Sequence, residues 1–68
     1  MRRETVSITE LEEAALDKYR AARHALDDAD QARKEGDDER ALRLREIAHD
    51  NQREATAIEN VAHRLAHR

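Results

Sequence analysis

The 68-residue sequence contains no cysteine and no proline, a single glycine (Gly36) and a single aromatic side chain (Tyr19). Without cysteine, disulfides and thiolate metal sites are excluded. β folds need turn residues at frequent intervals, and a chain with one glycine and no proline cannot supply them. The first residues, Met1-Arg2-Arg3-Glu4-Thr5, are basic but lead into no apolar run. Neither a signal peptide nor a membrane span is therefore expected, and the expected location is cytoplasmic. There is one serine (Ser7) and no glycine-rich loop, so nothing supports nucleophilic catalysis or phosphate binding. Asp27, Asp28 and Asp30 are carboxylates of a solvated segment, not a buried pair with divergent acidities. No enzyme activity and no cofactor are expected.

What is present is charge, at 43% of the residues. Such a composition fits either long helices or disorder, and the patterning decides between them. Ser7 with Glu10 three residues later forms a capping box at a helix start, and Thr9 with Glu12 is a second possible box. Val6 and Leu11 are spaced for a hydrophobic staple across that start. Ile8, Ala15, Ala22 and Ala29 then recur every seven residues, with Leu11, Tyr19 and Leu26 beside them. Nothing breaks the helix before Lys34. Arg33-Lys34 followed by Gly36 reads as a helix stop, and Asp37 or Asp38 can cap a second helix.

In the second half, Ala41, Ala48, Ala55 and Ala62 recur every seven residues, and Leu44, Asn51, Ile58 and Leu65 follow each by three. This is a heptad with alanine at position a and a larger residue at d, widened at g by Ile47 and Val61. Past Gly36 the alanine series changes phase, because a seventh-residue series from Ala29 would continue through 36 and 43 rather than 41. The expected fold is all-α. One domain, residues 1–68, is an antiparallel two-helix hairpin of the alanine-rich coiled-coil kind. Helix 1 spans about 8–34, the turn 35–38 and helix 2 about 38–66, each helix about 40 Å long. Residues 1–6 are expected to be frayed or extended.

A chain this short buries only roughly 60% of its unfolded surface. The large apolar residues are few, and Leu16, Ile47 and Val61 lie off the narrow seam with no partner inside a hairpin. Association is expected, most simply a dimer forming a four-helix bundle. The candidate interface comprises Leu11, Leu16, Tyr19, Leu26, Leu44, Ile47, Asn51, Ile58, Val61 and Leu65. Asn51 is the one polar residue of its column. It reads equally as a buried register-setting amide and as a residue on a wet rim.

Charge is unevenly placed. Residues 27–39 hold seven acids against two bases, a net of −5, whereas residues 40–68 hold six arginines against four acids, a net of +2. In an antiparallel dimer each acidic turn would lie beside the other copy's basic end, which sets orientation and rate more than affinity.

Other constellations are candidates for different chemistry. Glu46 and His49 have the Glu-x-x-His spacing of ferritin-like di-iron helices, but they fall at outward-facing heptad positions. Glu59, His63 and His67 lie on one stripe at successive turns and could hold zinc. A histidine near a helix C-terminus is sufficiently explained by the helix dipole, and His24 stands alone, so no metal site is expected. Arg40, Arg43, Arg45, Arg53, Arg64 and Arg68 make the second helix mildly basic and offer a nucleic-acid reading. Glu46, Asp50, Glu54 and Glu59 interleave with them, and a solvated charged face is the plainer account.

Three layouts are similar in part. Gly36-Asp37 through Ala41-Leu42 to Ala48 resembles the turn and second helix of a tetratricopeptide unit, although Arg45 stands where that family carries an aromatic. Thr5-Val6-Ser7-Ile8 resembles the start of a ribbon-helix-helix DNA-binding protein, but Ala22-Arg23-His24-Ala25-Leu26 runs straight through where that family turns. The hairpin layout is similar to that of the Rop-type plasmid copy-number regulators, which implies a four-helix bundle and no particular function. The reading that results is a small non-enzymatic interaction or regulatory module, presenting helix faces to itself or to a partner protein. A nucleic-acid-binding regulator using the arginines of helix 2 is the alternative, and a metal-binding hairpin the third.

Overall fold

Ser7 opens the first helix in the computed structural model, which describes residues 7–67. Its backbone is extended, with φ −76° and ψ 159°. Its Oγ accepts a hydrogen bond from the Glu10 N–H at 3.0 Å, and the Glu10 carboxylate accepts one from the Ser7 N–H at 3.0 Å. Two backbone donors that the helix cannot satisfy itself are paired in this way. Helix α1 then runs over Ile8–Lys34. Val6, proposed for a hydrophobic staple, and the expected frayed start over 1–6 fall outside the described residues.

The helix stops through backbone geometry. The Gly36 N–H reaches the Arg33 carbonyl at 3.0 Å, and the Asp37 N–H reaches back to the Ala32 carbonyl at 2.8 Å. This paired closure needs a left-handed residue, and Gly36 supplies it with φ +83°. Asp37 serves both helices. Its N–H closes α1, and its carboxylate caps α2 by accepting from the Arg40 N–H at 3.1 Å. Helix α2 covers Asp38–Ala66.

Among the described residues the fold is an all-helical, antiparallel hairpin whose only tertiary packing is α1 on α2. Two helices side by side make a single layer, so there is a seam but no second layer.

Among the described residues only alanines are buried in that seam: Ala15, Ala22, Ala25, Ala29 and Ala32 from α1, and Ala41, Ala48, Ala55 and Ala62 from α2. Ala22 and Ala25 pack with Ala48, while Ala29 and Ala32 pack with Ala41 against the side of Leu44. A methyl group loses no rotamer freedom on burial and holds the backbones close. The sequence pattern places Tyr19 and Leu26 beside the α1 alanine column, but in the structure that second column is Lys18, Ala25 and Ala32. Tyr19 and Leu26 lie on the opposite side of the column and remain exposed.

Candidate interaction faces

Two contacts between the helices fix what lies on either side of the seam. Lys18 Nζ meets Glu54 Oε1 at 2.7 Å. The next residue, Tyr19, donates its hydroxyl hydrogen to Glu59 Oε1 at 2.8 Å. Successive helical residues are about 100° apart (3.6 residues per turn), so these contacts mark opposite flanks.

The Lys18–Glu54 flank carries the larger apolar stripe. On α2, Leu44, Ile47, Asn51, Glu54, Ile58, Val61 and Leu65 follow one another at alternating steps of three and four. Leu44, Asn51, Ile58 and Leu65 are half-buried, on the shoulder of the seam. Ile47 and Val61 are 49% and 38% exposed. From α1, Leu11 and Ala14 (both half-buried) and the exposed Ala21 share this flank. Asn51 is not sequestered: its side-chain N–H donates to the Ile47 carbonyl at 3.0 Å within the same helix. The α1 side of this flank is lower than the α2 side at Ala14 and Ala21, with Lys18 crossing between them to Glu54.

The Tyr19–Glu59 flank is more polar. Tyr19 and Leu26 border a shallow hollow with Arg23, Asp27 and Gln52. A second hollow near the open end is lined by Ile8, Glu12, Glu59, Ala62, His63 and Ala66. Leu16, 47% exposed, projects beyond this flank, and Leu42, near the turn, is more than half exposed. The ten candidate interface residues thus divide into two groups. Leu11, Leu44, Ile47, Asn51, Ile58, Val61 and Leu65 share one flank, and Leu16, Tyr19 and Leu26 belong to the other. Sequence spacing could have separated them, because heptad positions d and g lie on one side of a and positions e and b on the other.

The candidate metal ligands are dispersed. Glu46 and His49 sit in a hollow on the outer surface of α2 with Arg45, Asp50 and Arg53, and no residue of α1 faces them there. The rings of His63 and His67 lie with centroids 4.3 Å apart, but the Glu59 carboxylate below them is engaged by Tyr19. Among the described residues no group of three or more histidines and carboxylates comes together. Several arginines are drawn to neighbouring acids: Arg53 to Asp50 at 3.4 Å, Arg33 to Asp30 at 3.7 Å and Arg40 to Glu35 at 3.8 Å. Among the described residues, no helix is long and apolar enough to cross a membrane.

These features define a helical hairpin with a closed alanine seam and two unequal flanks. No protein-family model matches the chain, and neither a curated protein nor a solved structure matches it.

Proposed function

We propose that this chain is a small, non-enzymatic protein–protein interaction or regulatory module. It works by presenting helix faces, most simply to a second copy in a four-helix bundle and otherwise to a partner protein. One observation carries the reading: alanine alone fills the buried seam, while every larger apolar side chain described is half-buried or exposed. Burial of apolar area is the main favourable term in folding and association. A hairpin that leaves its leucines and isoleucines wet gains most of that term only when something covers them. The experiment is light scattering with circular dichroism across a concentration series. A helical oligomer supports self-association, and a poorly helical monomer supports folding upon another protein. A monomer that is fully helical and melts cooperatively at a concentration-independent temperature would overturn the reading, since its exposed side chains would then need no cover.

A further inference from the structure

The exposed stripe of α2 has an order that suits one occupant. Read along the helix, Leu44 and Ile47 are apolar, Asn51 and Glu54 are polar, and Ile58 and Val61 are apolar again. Between Leu44 and Val61 the pattern is palindromic; Leu65, the last residue of the stripe, has Arg40 as its counterpart. We infer that this stripe pairs with the same stripe of a second copy, running antiparallel about a twofold axis between residues 52 and 53. This inference rests on the self-association reading above and specifies its face and register.

In antiparallel helix pairs, each layer is formed by alternate columns of the two stripes. Pairing about this axis sets Leu44 against the partner's Val61, Ile47 against the partner's Ile58, and Asn51 against the partner's Glu54. The mirror-related layers complete the set. Between Leu44 and Val61 apolar meets apolar except at the centre, where polar meets polar, and at each end Leu65 falls against the partner's Arg40, whose aliphatic stem can cover it while the guanidinium stays in water. Shifting by one heptad toward the C-terminus sets Val61 against the partner's Asn51 and Ile58 against the partner's Glu54. A shift the other way sets Leu44 against the partner's Glu54 and Ile47 against the partner's Asn51. Each shift desolvates polar groups beside apolar ones, which is costly. A parallel pairing brings Glu54 onto the partner's Glu54 and the two acidic turns together.

Charge favours the same arrangement. Each Glu54 already holds Lys18 of its own hairpin at 2.7 Å, so the central layers contain two carboxylates and two ammonium groups. A polar layer inside an apolar seam sets register at some expense of stability. Asn51 and Glu54 act here as that register device, and the α1 alanines on the same flank give the second hairpin room to seat.

The test uses the absence of native cysteine. A spin label is placed on Arg43→Cys, an exposed site beside the stripe, and the label-to-label distance is measured in the assembled protein. The proposed axis separates the two labelled backbones by about 28 Å along the helix; a one-heptad shift gives about 39 or about 18 Å. Parallel pairing leaves only the interaxial 8–10 Å. In parallel, Ile47→Lys and Leu26→Lys are compared by light scattering, with helicity as the folding control. Ile47→Lys is expected to weaken association at least tenfold, and Leu26→Lys to leave it unchanged. An oligomer with another distance, or one broken by Leu26→Lys and not by Ile47→Lys, overturns this pairing while self-association stands. A helical monomer at every concentration overturns both.

Discussion

Gly36 shows how much one residue can decide. Its φ of +83° is the left-handed conformation, and a Cβ built there would meet no atom within 4 Å. The constraint is therefore conformational and not steric. Gly36→Ala should fold to the same hairpin but lose roughly 1–2 kcal/mol, the usual cost of a left-handed L-residue. Urea denaturation at one fixed protein concentration would measure this, and an unchanged midpoint would show that the turn had rearranged. Ser7→Ala removes a side-chain acceptor from the α1 start, with an expected loss of about 1 kcal/mol. The same denaturation experiment reads it as a lower midpoint. Both positions are legible in the sequence because their demands are local. A capping serine has its glutamate three residues away, and a C-terminal glycine follows its basic turn.

At the scale of the helix, legibility falls away. The alanine columns of α2 repeat without a miss, and the structure buries all four of those alanines. In α1 the column of Ala15, Ala22 and Ala29 is equally clear, but its companion is not. Ala25 and Ala32 are buried, whereas Tyr19 and Leu26, larger and more conspicuous, are exposed. The ambiguity is physical. An alanine column has a neighbouring column on each side, and size alone does not say which one turns to the partner helix. Alanine is also no proof of burial, since Ala14 and Ala21 repeat at seven residues and lie half-buried and exposed. The seam has no room for more than a methyl group. Ala48→Leu should therefore cost about 1–3 kcal/mol by overpacking, while Ala57→Leu, on the exposed surface, should stay within about 0.5 kcal/mol. Equal effects in thermal melts would argue against a close-packed alanine seam.

Over the whole molecule, two helices packed side by side make a single layer, which has no place for a dry pocket of its own. Among the described residues the fold accordingly assembles none of the metal constellations that the sequence suggested. With Glu59 held by Tyr19, adding stoichiometric Zn²⁺ is expected to leave the melting temperature unchanged. A ligand that binds the folded state must raise it, so a rise of several degrees would reinstate His63 and His67 as ligands. Charge acts on the same scale. In the antiparallel pairing proposed above, the acidic turn and the basic end attract across the interface. Added salt screens such contacts beyond about 10 Å at 0.1 M. Stopped-flow mixing should show the association rate falling with ionic strength while the dissociation rate, governed by the apolar layers, changes little.

The contact between Tyr19 and Glu59 also makes the protein its own reporter. Tyr19 is the sole fluorophore, and a phenol that donates to an ionised carboxylate emits weakly. Tyr19 belongs to α1 and Glu59 to α2, 40 residues apart in sequence but 2.8 Å apart at the oxygen atoms. Separation of the helices at this point frees the phenol to water and brightens its emission. Opening of the hairpin can thus be followed in unlabelled protein, by a signal that belongs to the seam alone and is distinct from the helix content of either arm.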